Sequence, residues 1–123
     1  KPDYPDLMNN FGTLLFREGN FAEAIFRFRH AASLAPENPE IGNNLGLALR
    51  AAGNPGEAIR EYDRVLQRYP RNADAHFNKA NALNASGRVE EAIQEYTQVL
   101  ILDPGYDAAR TNLNILLQKK ERD

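Results

Sequence analysis

The chain has 123 residues, a formal charge of −2, 42% hydrophobic residues and no cysteine. That is enough for one packed domain. It leaves no disulfide framework or thiolate metal site and no basic field for nucleic acid or an anionic membrane surface. The longest apolar run, Val99 to Leu102, is too short to span a bilayer. No signal-peptide pattern follows Lys1, so a soluble chain without membrane insertion is expected, with the cytoplasm favoured.

The opening, Lys1-Pro2-Asp3-Tyr4, precedes a first helical unit that starts at Pro5 and is punctuated by Gly19. Asn20 and Glu23 have the spacing of a capping box for the unit's second helix. In the second unit Asn38 can cap a helix that opens with Pro39 and runs to about Ala52. Gly53 can take the left-handed conformation that ends it. Asn54, Pro55 and Glu57 then open a second helix, which runs to about Arg68 and is stopped by Pro70. The third unit keeps Gly87, but Arg88 replaces the capping Asn, and Ser86 is the alternative cap. Residues 107–121 form a closing helix, with Leu113, Leu116 and Leu117 expected to pack inward.

The units are copies of one another. Pro2, Pro36, Pro70 and Pro104 are each 34 residues apart, and Gly19, Gly53 and Gly87 keep the same interval. So do Ala24, Ala58 and Ala92; Phe28, Tyr62 and Tyr96; and Asn10, Asn44, Asn78 and Asn112. A helix–turn–helix period of this length resembles the tetratricopeptide repeat family. Counting from Pro5, Pro39 and Ala73, the family's small eighth position is Gly12, Gly46 and Ala80, and its large eleventh is Leu15, Leu49 and Leu83. Its small twentieth is the alanine series, its aromatic twenty-fourth the Phe28 series, and its proline at thirty-two is Pro36, Pro70 and Pro104. The resemblance implies an all-α, right-handed α-solenoid with repeats 5–38, 39–72 and 73–106 and a capping helix. Small residues at eight and twenty should let the two helices of a unit approach closely. Because residues 1–4 fall in phase with the ends of later repeats, a segment of a longer array is expected.

A puzzle lies in IGNNLGLAL, residues 41–49. Asn43 and Asn44 stand mid-helix although each costs roughly 0.5–0.7 kcal/mol against Ala. On a helical wheel, positions two, five, six, nine, twelve and thirteen oppose the intra-repeat core. The resemblance places this face on the concave side of the superhelix, so Asn10, Asn44, Asn78 and Asn112 should form a row along a groove. One Asn amide can pair with one peptide unit through both its groups, whatever side chain the ligand carries. Similar rows hold extended polypeptide in the repeat arm of O-linked N-acetylglucosamine transferases. The same side chains can instead tie neighbouring repeats together, or merely solubilise the groove. Asn9, Thr13, Asn43, Leu47, Arg50, Phe77 and Asn81 complete the candidate peptide site, with Leu47 and Phe77 as apolar anchors. Asp6, Glu40 and Asp74 form an acidic row that favours a Lys- or Arg-bearing ligand or simply suits first helical turns.

Some members of this family clamp the C-terminal carboxylate of heat-shock chaperones. The five clamp positions here hold Asn9, Thr13, Asn44, Asp74 and Asn78. Only Asn44 matches, and Asp74 reverses the charge, so this clamp is not expected in this frame. Gly42, His76 and Arg110 occupy position four, where a large apolar residue is usual. Met8 or Phe77 is expected to fill the gap at Gly42, and His76 to sit at the groove edge. No catalytic, cofactor or metal constellation is found: His30 stands alone, Glu90-Glu91 reads as a solvated turn, and no phosphate-loop pattern occurs. The expected function is a scaffold that holds an extended peptide or partner protein. The alternatives are the substrate-recognition arm of a multidomain enzyme such as a glycosyltransferase, or self-assembly through exposed solenoid ends. A nucleic-acid partner is not expected.

Overall fold

The structure, a computed structural model, describes residues 4–122. The reading of Lys1-Pro2-Asp3-Tyr4 as the tail of an earlier repeat lies outside these residues except at Tyr4, which opens the first helix. Helices follow in pairs: α1 (Tyr4–Arg17) with α2 (Phe21–Leu34), α3 (Pro39–Ala51) with α4 (Pro55–Arg68), and α5 (Ala73–Ala85) with α6 (Val89–Leu102). A final helix, α7 (Asp107–Arg122), packs on α6. There is no strand among the described residues; the fold is an all-α helical-repeat solenoid.

Identical turns join the helices of each pair. Gly19, Gly53 and Gly87 have φ of 79°, 88° and 79°, in the left-handed region where a side chain is strained. In the second unit Gly53 N–H donates to Arg50 O and Asn54 N–H to Leu49 O, both at 2.9 Å. This double bond pattern satisfies the last carbonyls of α3. Asn38 caps α3 as expected, its side chain accepting from Glu40 N–H at 2.9 Å, but the starts of the second helices differ from expectation. Asn20 and Asn54 make no side-chain bond to the backbone; their amides donate instead to Glu23 (3.0 Å) and Glu57 (2.7 Å). Arg88 takes the same role toward Glu91, with bonds of 2.8 and 2.9 Å. Ser86 is not the cap of α6; it ends α5, where its hydroxyl donates to Ala82 O.

The core runs through the pairs. Phe28, Tyr62 and Tyr96 are almost fully buried, as are Ala24, Ala58 and Ala92. Each such aromatic contributes roughly 1.5–3 kcal/mol of burial. The nearest neighbour of the glycine at position eight is the aromatic ring at twenty-four: a Cβ on Gly12 or Gly46 would overlap the ring of Phe28 or Tyr62. The gap at Gly42 is filled by Val65, whose Cγ2 lies 2.5 Å from where a Cβ would stand, and not by Met8 or Phe77. In α7, Leu116 is buried and Leu113 half-buried, but Leu117 is exposed, contrary to its expected inward packing.

Neighbouring pairs stack through α2 on α3, α4 on α5 and α6 on α7. First helices also touch one another, α1 with α3 and α3 with α5. The second helices do not approach in the same way. A layer whose members crowd together is the inner side of a curve, so α1, α3, α5 and α7 line the concave face. On α3, Ile41, Leu45 and Ala48 are buried at the stacking surface. Their counterparts one period earlier, Leu7, Phe11 and Leu14, are exposed on α1, where the Arg27 guanidinium lies over the Phe11 ring.

Candidate functional site: the inner groove

The inner face carries two hollows. The first, about 390 Å³, lies between α3 and α5 and is also lined by Tyr106. Asn43, Asn44, Leu47, Phe77 and Asn78 line it together with Asn72, Glu40 and Asp74. The second, about 380 Å³, lies between α5 and α7 and receives Arg50, Asn81, Asn84, Tyr96, Asn112 and Lys119. Thr13 joins Asn44 and Leu47 in a smaller recess of about 40 Å³, its hydroxyl donating back to Asn9 O at 3.0 Å. Asn10 is exposed and lines none of these hollows.

The asparagine row is not uniform. Asn44 Nδ2 donates to Asn9 Oδ1 at 3.0 Å, bridging the first and second repeats. Asn112 Nδ2 donates to Asn81 Oδ1 at 3.2 Å and approaches Tyr96 Oη at 3.4 Å. The Tyr96 phenol also donates to Asn81 Oδ1. Between these two ties the pattern fails. One period after Asn9 and Asn44 stand Asn43 and Asn78, yet Asn78 makes no side-chain bond among the described residues. Asn43 Nδ2 turns instead to Asn72 Oδ1 at 3.5 Å, and its Oδ1 is buried without a partner. The wheel placed position five on the open groove, but Asn9 and Asn43 are buried because neighbouring first helices close over them.

Aromatic rings shape the first hollow. Phe77 lies 5.0 Å from the Tyr106 ring and 6.0 Å from that of Tyr96. The Tyr106 phenol donates to Asp74 Oδ1 at 2.6 Å. Burial, then the Asp74 bond and charge, push its ionisation above the ordinary tyrosine range. Burial does the same to Tyr62 and Tyr96, opposed for both by the nearby Arg50 charge. Arg50 forms no ion pair among the described residues, and its Nε is buried without a hydrogen-bond partner.

His76 is not at the groove edge. It points between α5 and α6, with Nδ1 2.6 Å from Glu95 and Nε2 2.9 Å from Pro70 O. Lys79 lies beside it, 2.7 Å from Asp63 and 3.6 Å from Glu95. Burial is the largest single influence on Lys79 and opposes its charge, but the carboxylates prevail and its ionisation moves upward. No group of metal-ligating side chains gathers among the described residues, and no described helix is long and apolar enough to cross a membrane.

Residues that the pattern alone did not single out for the site are Tyr106, Asn72, Tyr96 and Lys119. Tyr96 was legible as a core aromatic, but its hydroxyl reaches through to the groove. Asn72 was legible only as the end of a repeat; it caps α5 by accepting from Ala75 N–H at 2.9 Å.

A tetratricopeptide repeat profile matches residues 9–59 and 43–107. The chain belongs to the tetratricopeptide repeat family. No curated protein matches it significantly, whereas solved structures of similar fold are numerous. The first repeat domain of Spaghetti (RPAP3), bound to the HSP90 peptide SRMEEVD, is 21% identical, with a TM-score of 0.91 over 98% of this chain and 96% of that one. The Sgt2 repeat domain from Aspergillus fumigatus is 20% identical, with a TM-score of 0.91 over 98% of this chain and 81% of that one. The Yersinia enterocolitica type III secretion chaperone SycD, in complex with a peptide of the translocator YopD, is 17% identical, with a TM-score of 0.88 over 98% and 97%. At these identities the likeness is one of fold.

Proposed function

We propose that this tetratricopeptide repeat domain is a protein-interaction module that holds an extended segment of a partner protein in its inner groove. The observation that carries this reading is the break in the asparagine row. Asn78 makes no side-chain hydrogen bond among the described residues, and it lines one hollow with Asn43, whose Oδ1 is orphaned, and with the rings and apolar side chains of Leu47, Phe77 and Tyr106. A buried acceptor without a partner is costly, and a donor on a bound peptide that draws the Asn43 amide round would satisfy it. Peptides in complex with Spaghetti (RPAP3) and SycD support the same use of this fold. The groove binds rather than catalyses. The test is a pull-down with the wild-type protein and an Asn78→Ala, Phe77→Ala variant, read by mass spectrometry. Partners that persist equally on the folded double variant would remove the reading.

A second reading concerns assembly. The stacking surface that α2 covers on α3 is bare on α1, where Leu7 and Leu14 are more than half exposed, at 57% and 51%. This is continuous in kind with the interfaces inside the chain, so a helix of a second copy suits it. Sedimentation equilibrium should show association that Leu7→Glu with Leu14→Glu abolishes. A wild-type monomer at high concentration would remove the idea.

A further inference from the structure

We infer that the groove is electrically polarised across its width and selects a peptide carrying a basic side chain and, four to five residues away, a carboxylate. This rests on the groove being a peptide site.

The first helices run parallel, so their starts share one edge of the groove and their ends the other. Glu40 and Asp74 stand in the first turns of α3 and α5, and both line the hollow that Tyr106 also lines. No basic residue among those described lines that hollow. Glu40 has no ion-pair partner among the described residues, and Asp74 is held only by a neutral phenol. The other hollow has the opposite character: among the described residues Arg50 and Lys119 line it with no acid, and neither forms an ion pair.

Helix dipoles favour acids at helix starts and bases at helix ends, which accounts for the signs alone. It does not account for the two unsatisfied atoms that accompany the charges. Asn43, 9% exposed, lines the acidic hollow with an unpartnered Oδ1. Arg50 enters the basic hollow with a buried, unpartnered Nε. One hollow lacks a donor and the other lacks an acceptor. A Lys or Arg side chain supplies the first, its stem lying on Phe77 and Tyr106. A carboxylate supplies the second and is the natural fork partner for a guanidinium.

Helix geometry sets the spacing. Glu40 and Arg50 are ten residues apart on α3, about 15 Å at the α-helical rise. An extended peptide covers that distance in about four to five residues.

The test uses fluorescent ten-residue peptide pools with degenerate neutral bodies and blocked ends. The arms are Lys and Glu four or five residues apart in either order, Lys and Glu adjacent, Lys alone, Glu alone, and a free C-terminal carboxylate in place of Glu. The spaced pools should bind about tenfold more tightly than the adjacent pool, and salt should erase the difference. Arg50→Gln should lower affinity only for pools with a carboxylate. Glu40→Gln with Asp74→Asn should lower it only for pools with Lys. Should Arg50→Gln fail to fold, Lys119→Gln on the exposed end of α7 reads the same edge. The free-carboxylate arm tells a chain terminus from an Asp or Glu side chain. Pools that bind equally whatever the spacing would overturn the polarised groove while leaving the peptide site intact. Binding by no pool would overturn both.

Discussion

Asn44 donates from Nδ2 to Oδ1 of Asn9 at 3.0 Å, across the junction of the first two repeats. One period later Asn78 faces Asn43 without such a bond, although the residue types are the same. The two asparagines at position six are therefore doing different things, and single substitutions separate them. Asn44→Ala should lose a hydrogen bond worth about 0.5–1.5 kcal/mol, against a gain of a few tenths in helix propensity. Asn78→Ala should keep or slightly raise stability while weakening the partner. Thermal melts and a binding isotherm on the two variants check this. A fall in melting for Asn78→Ala equal to that for Asn44→Ala would refute the distinction.

Tyr62 and Tyr96 occupy equivalent core positions with opposite hydroxyl fates. The Tyr62 Oη is buried and unpaired, whereas that of Tyr96 is tied to Asn81 and Asn112. Tyr62→Phe should raise stability, because an unsatisfied buried group costs about 1–3 kcal/mol. Tyr96→Phe should lower it by roughly 0.5–1.5 kcal/mol. Urea denaturation gives both signs, and identical shifts would contradict the geometry.

Tyr62, Tyr96 and Tyr106 all have ionisation pushed upward, chiefly by burial. Above about pH 10 the unfolded chain releases phenolic protons that the folded chain retains. Stability is thus fully present below that pH and falls as the pH rises toward the folded-state values. Denaturation midpoints measured from about pH 8 to 11 should drop at the alkaline end. Tyr62→Phe should flatten that drop, and an unaltered slope would count against the buried phenol.

Gly53 and Gly56 lie on either side of the α3–α4 junction. Gly53 has φ of +88°, whereas Gly56 lies in the first turn of α4 with open space where a Cβ would stand. Gly53→Ala should cost about 1–2 kcal/mol through the left-handed backbone. Gly56→Ala should stabilise by up to about 1 kcal/mol through helix propensity. Melting temperatures moving in the same direction would show the turn to be mis-assigned.

Period and spacing alone determined the pairing of helices, their ends at Gly19, Gly53 and Gly87, and the burial of Phe28, Tyr62 and Tyr96. Each of these depends on a local rule or a strict repeat: only glycine takes a positive φ freely, and a residue recurring at one phase meets one environment. The same periodicity misled where side chains reach past their own unit. It made Asn10, Asn44, Asn78 and Asn112 look alike, but their partners sit in the neighbouring repeat, where identities change. Asn44 finds Asn9, Asn112 finds Asn81 and Tyr96, and Asn78 finds Leu47 and Phe77 beside it in the hollow. His76 turned away from the groove because Glu95 and Pro70 O lie within reach on the other side. Which amides are tied and which are free for a ligand was decided by contacts between residues about 30 apart in the chain, set by how closely one repeat stacks on the next.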